Sequence, residues 1–183
     1  MVRQQGDGTA HVTIYTIGHS TRALDDFLAL LAAHDIRQLA DVRTIPKSRR
    51  HPHFGGDALS ASLHDAGIEY RHFAALGGLR KPRADSSNTG WRHAGFRGYA
   101  DYMETPAFTH AVDELIAWAT DARTTVMCAE ATWWQCHRRL LADALVARDI
   151  EVRHIMTPTS APPHELTEFA RIEAARVRYP GLW

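Results

Sequence analysis

Short β-branched and apolar runs alternate with stripes of helical spacing along this 183-residue chain, and that alternation constrains the fold more than any other feature. The runs are His11–Ile17, Gln38–Val42, Ile68–His72, Thr124–Met127 and Glu151–Ile155. Between them, Leu24, Phe27, Leu28 and Leu31 make one helical stripe and Ala58 to Ala66 a short helix ended by Gly67. Phe108, Val112, Leu115, Ile116 and Trp118 follow Pro106 as a marked amphipathic helix, and Leu140, Leu141, Ala144 and Leu145 start another that runs to Arg148. The pattern predicts an α/β fold: three layers, α/β/α, around a mostly parallel, Rossmann-like sheet of about five strands. A single domain over residues 11–183 is the natural content of this length, with the polar residues 1–10 as a disordered segment. Ser20 or Thr21 is the expected N-cap of the first helix, Tyr99 to Met103 reads as a helical turn, and His164 to Val177 reads as a C-terminal helix. Tyr179 to Trp183 is then a tail whose aromatics dock on the body.

Lys+Arg and Asp+Glu both total 21, so any affinity for a polyanion has to be local. The loop Thr44 to Phe54 supplies such a concentration: from Arg43 through Lys47, Arg49 and Arg50 it carries four cations, and no acidic residue follows until Asp57. Guanidinium forks and ammonium groups in a loop stiffened by Pro46 and Pro52 suit a phosphate or another anion. A solvated basic loop is the plain alternative. Residues 76–98 lack apolar periodicity, and segments of that length serve as lids, binding loops or mobile tracts. Their Arg80, Lys81, Arg83, Arg92 and Arg97, interleaved with Trp91, Phe96 and Tyr99, suit phosphates and stacked bases.

The densest chemistry lies between Cys128 and Arg139, where both cysteines, Glu130, His137 and two arginines follow a buried strand directly and lead into a helix. In a parallel sheet that crossing stands at the carboxyl edge, where ligands bind. Gly18-His19-Ser20, Asp41-Val42-Arg43 and Leu76-Gly77-Gly78 should emerge on the same edge. With two cysteines, no apolar leader and no membrane-length apolar stretch, the expected compartment is the cytoplasm, where thiols stay free or bind metal. A phosphatase-like Cys-x5-Arg loop is excluded, because the sixth residue after Cys128 is Trp134 and the sixth after Cys136 is Ala142.

Taken together, Thr16-Ile17-Gly18-His19-Ser20, Asp41-Val42-Arg43 with Pro46 and Ser48-Arg49, Leu76-Gly77-Gly78, Phe96-Arg97-Gly98-Tyr99-Ala100-Asp101-Tyr102-Met103, and Cys128-Ala129-Glu130 with Cys136-His137-Arg138 resemble the DUF488 family of prokaryotic proteins, over about residues 13–157. The resemblance implies a fold and a set of site positions, and no reaction.

Three readings of the site stand side by side. In an enzyme, Cys136 in the first turn of its helix is a thiolate nucleophile with Cys128 as rival, or Glu130 acts as base or nucleophile, with His137, Asp41 and His19 as partners. Arg43, Arg49 and Arg138, with Gly18, Ser20, Ser48, Gly77, Gly78 and Tyr99, then hold an anionic small molecule, a nucleotide or a nucleic acid. No cofactor is required. In the second reading Cys128, Cys136 and His137 bind zinc or iron, with Glu130 or Asp41 completing the set. The third is a nucleic-acid or nucleotide-binding module in which the cysteines are buried core residues. None of the three requires a membrane.

Overall fold

The central strand of the sheet is the one that precedes the cysteine-rich crossing. In the computed structural model, which describes residues 12–181, five parallel strands form one sheet: β1 (Thr13–Gly18), β2 (Gln38–Asp41), β3 (Glu69–His72), β4 (Thr124–Cys128) and β5 (Glu151–His154). The disordered segment expected at residues 1–10 lies outside the described residues, as do Leu182 and Trp183. Every residue of β4 is buried, as a strand covered on both faces and paired on both edges must be.

Strand order is β3-β2-β4-β1-β5. Dinucleotide-binding folds of the Rossmann type place the first two strands side by side, in the order 3-2-1-4-5-6. Here β4 lies between β1 and β2, pairing Gly18 with Cys128 and Asp41 with Met127. The ends of β1, β2 and β4 therefore share one edge.

Helices cover both faces. Helices α1 (Leu24–Ala33) and α2 (Gly56–Asp65) pack Phe27, Leu31, Leu59 and Leu63 against Ile17, Leu39 and Met127. On the opposite face α3 (Ala94–Met103), α4 (Pro106–Ala119) and α5 (Arg138–Val146) pack against Ile14, Val42, Val126 and Val152. Successive strand residues point to opposite faces, so Val126 and Met127 serve different cores.

Several local expectations need correction. The N-cap of α1 is Ala23, with no side-chain cap, and Ser20 instead takes a left-handed φ of 50°. Helix α3 begins at Ala94 rather than Tyr99, because Gly95 and Gly98, poor helix formers, interrupt its stripe without stopping it. Helix α5 begins at Arg138, with His137 as N-cap, so Cys136 precedes the helix and is not in its first turn.

The largest correction is at the C-terminus. Instead of a helix over His164 to Val177, an irregular segment leads into a hairpin of β6 (Arg171–Glu173) and β7 (Arg176–Arg178). A buried carboxylate organises it. Asp143 of α5 accepts from the Thr167 amide at 2.9 Å and the Tyr179 hydroxyl at 2.8 Å, and its Oδ1 lies 2.8 Å from His164 Nε2. The chain continues from His164 Nδ1 to His154 Nε2 at 3.0 Å and from His154 Nδ1 to Thr16 Oγ1 at 2.7 Å. Tyr179 docks in the core, as expected of the tail aromatics.

Candidate functional site

At the carboxyl edge of β1, β2 and β4 opens a cavity of about 510 Å³. Its floor is the crossing from β4 to α5. Cys128 closes the strand, a single 3₁₀ turn (Trp133–Gln135) carries the chain back, and Cys136 and His137 return to the same point. His137 Nδ1 lies 3.6 Å from Cys136 Sγ and 3.9 Å from Cys128 Sγ. All three atoms fall within 4.8 Å of one another. Hydrogen bonding from the Cys128 thiol, and then His137 and the Arg138 charge, hold Cys136 well below the usual thiol range against the cost of burial. The same hydrogen bond and burial push Cys128 above that range.

The imidazole is held by packing. A Cβ on Gly78 would stand 2.5 Å from His137 Nδ1, so the backbone of the Leu76-Gly77-Gly78 turn lies directly against the ring. Tyr99 packs on it from the helical side, with ring centroids 5.0 Å apart. His137 Nε2 is buried with no hydrogen-bond partner.

Other sequence-predicted residues divide into those facing the cavity and those supporting it. His19, Arg43, Ser48, Gly78 and Glu130 line it beside the cluster. Glu130 is exposed at the cavity, and its backbone carbonyl accepts from buried Arg138. His19 is driven by burial down to about 4, so it is neutral near pH 7, and it stacks on Phe54 with centroids 4.3 Å apart.

Asp41, Gly18, Ser20, Gly77, Tyr99 and Arg138 do not line the cavity. Asp41 is fully buried and accepts from Arg43 Nε at 2.9 Å, Arg43 Nη2 at 2.6 Å, the Arg43 amide at 3.1 Å and the Tyr70 hydroxyl at 2.8 Å. Three of these four donors belong to Arg43, so the carboxylate fixes that guanidinium in place. Gly77 is buried, and Tyr99 donates to the Leu76 carbonyl at 3.0 Å. At the β1 end the His19 and Ser20 amides donate to the Cys128 and Ala129 carbonyls at 3.0 and 2.8 Å, so neither is available to an anion.

Of the basic loop, Lys47 and Ser48 reach the cavity wall, whereas Arg49 stands exposed outside it. The long segment after Gly78 is anchored. Asp101 accepts from the Arg83 amide at 2.8 Å, Ser86 Oγ at 2.6 Å and Asn88 Nδ2 at 2.9 Å. Trp91 is 6 % exposed, Arg80 stacks on Tyr102, and Arg83 pairs with Glu104, so this segment presents no open aromatic platform. Sequence reasoning missed Ile45, Leu79 and His93 of the cavity wall. A signal existed for two of them: Ile45 and Leu79 are large aliphatic residues in loops, and they are 59 % and 76 % exposed.

These features define a parallel α/β domain with a cysteine and histidine cluster in a cavity at the carboxyl edge of its sheet. The chain belongs to the family described as "Domain of unknown function DUF488", whose model matches residues 23–145. That match takes in Asp41, Arg43, Cys128, Cys136 and His137, while His19 lies before it and His154 and His164 after it. No curated protein and no solved structure matches the chain. Among the described residues no helix is long and apolar enough to cross a membrane.

Proposed function

We propose that this protein is an enzyme whose reacting centre is the Cys128, Cys136 and His137 cluster and whose substrate carries an anionic, phosphate-like group. The observation that carries the proposal is convergence. Segments around residues 19, 43–48, 78, 93–96 and 128–137 line one cavity, and the two sulfurs and the imidazole gather at its floor. Lys47 and Ser48 stand on the wall as anion ligands, with Arg43 held beside them by Asp41. The Glu130 carboxylate faces the cavity as general acid or base, and neutral His19 offers a second proton carrier. Ile45, Leu79 and Phe96 add apolar surface for an uncharged part of the substrate.

A turnover screen of nucleotides, phosphorylated sugars and short oligonucleotides tests this reading. Cys136→Ser should abolish the activity found, and Glu130→Gln should lower it by about 10²–10⁴-fold, the usual worth of a general acid or base. Full turnover in Cys136→Ser, His137→Gln and Glu130→Gln alike would remove the cluster from the chemistry.

A non-catalytic module for nucleotides or nucleic acid is the second reading, favoured by exposed Arg49 and Arg50, which make no ion pair among the described residues. It expects oligonucleotide binding that weakens steeply with salt, is lost in Arg49→Ala/Arg50→Ala and is unchanged in Cys136→Ser.

A further inference from the structure

We infer that Cys128 Sγ, Cys136 Sγ and His137 Nδ1 form a binding site for a zinc-class divalent metal, with a fourth coordination position open to the cavity. The inference rests on the reading of this cluster as the reacting centre and names the cofactor that would sit there. Thiolate and imidazole donors are the set that selects zinc among common divalent ions. Bonds of about 2.3 Å to sulfur and about 2.0 Å to nitrogen, set at tetrahedral angles, place sulfur and nitrogen roughly 3.5 Å apart. The observed separations of 3.6 and 3.9 Å come within a few tenths of that edge.

The third dimension of the site agrees. Three protein ligands with one position left for water or substrate is the arrangement of catalytic zinc, whereas structural zinc is closed by four protein ligands. Here all three ligand residues line the cavity, and among the described residues no fourth His, Cys, Asp or Glu joins the group. Glu130 lines the same cavity without belonging to the cluster, and its carboxylate is the group we assign to accept a proton from a metal-bound water.

Packing, not a second layer of hydrogen bonds, sets the imidazole. Nε2 has no partner, so the ring is aimed by Gly78 on one side and Tyr99 on the other. Metal-bound histidines usually have the other ring nitrogen hydrogen-bonded, and loss of that partner costs 10–100-fold in affinity. This site should therefore bind more weakly than a closed structural one and exchange its metal readily.

The experiment is a cobalt titration of the full chain, freed of any affinity tag and stripped with a chelator, alongside elemental analysis of protein purified without chelator. Expected are close to one zinc per chain as purified, and sulfur-to-cobalt absorption that saturates at one cobalt per chain and shifts when azide takes the open position. Cys128→Ser and Cys136→Ser should each lose the absorption. Gly78→Ala, which leaves all three ligands in place, should weaken binding at least tenfold by displacing the ring. Absence of cobalt absorption in the wild-type chain, with both thiols equally reactive toward a disulfide reagent with and without zinc, overturns the inference. A spectrum indifferent to azide overturns the open position. Metal-free protein whose turnover is still lost in Cys136→Ser would leave the enzyme reading standing on a free thiol, so the two failures are distinguishable.

Discussion

Gly18 ends β1 where the backbone of the cysteine loop crosses it: the Glu130 carbonyl occupies the space a side chain at residue 18 would need, and an Arg138 guanidinium nitrogen lies just behind. This glycine is a matter of close approach and not of phosphate binding. Gly18→Ala must push that loop away, so urea denaturation should show a loss of about 1–3 kcal/mol, the usual cost of overpacking. A stability equal to wild type would mean that the loop yields freely. Asp41 makes a different prediction. Removing it leaves Arg43 buried without its partner, and breaking a buried pair costs about 3–5 kcal/mol. Asp41→Ala should therefore lose several kcal/mol in the same measurement, whereas a role confined to proton transfer would lower turnover and leave stability intact.

The C-terminal hairpin shows what an element needs in order to be legible. Residues 164–177 are rich in Glu, Ala and Arg and read as a helix, yet they end in two short antiparallel strands. A two-residue hairpin turn with positive φ at both central positions ordinarily announces itself by Asn-Gly or Asp-Gly. Here Ala174 and Ala175 take φ values of 48° and 62°, so the signal is missing. What overrides helix propensity is tertiary: Asp143 captures His164, Thr167 and Tyr179 and leaves no freedom for a helix across them. Left-handed alanine is strained by roughly 1–2 kcal/mol. Ala175→Gly should accordingly stabilise the hairpin by about 1 kcal/mol, read as slower amide exchange of Glu173 and Arg176, the hydrogen-bonded pair that closes the turn. Faster exchange would show that the turn does not hold this conformation in solution. The five sheet strands and helices α1, α2, α4 and α5 were readable because their apolar spacing is self-contained; α3 was half hidden by its own glycines.

At the scale of the molecule, buried His154 ties β5 to β1 and to the C-terminal segment beneath the stacked ring of Trp133, whose centroid is 4.0 Å away. Burial, with the charges of His164 and Arg138, lowers it from 6.5 to about 3. Between those values the unfolded chain binds the proton and the folded chain does not. Its contribution is thus complete above pH 6.5 and is lost as pH falls, reaching about 2 kcal/mol at pH 5. A denaturation midpoint that drops between pH 7 and pH 5 checks this, and a flat midpoint would contradict it. The cysteines, Glu130 and His137 were readable as lining one place because they are neighbours in sequence beyond a strand. Leu79, His93 and the Asp143–His164–His154–Thr16 chain were not, since only the folded path of distant segments brings them together. Strand order was equally hidden, because periodicity identifies strands without arranging them. That order has a consequence for synthesis. A ribosome delivers the chain from its N-terminus at about 5–20 residues per second. Strand β1 meets neither of its neighbours until β4 has emerged, and until then the only sheet pair that can form is β2 with β3. Both sulfurs arrive with β4 or just after it, so a nascent chain carries no assembled cysteine and histidine cluster before its sheet can close.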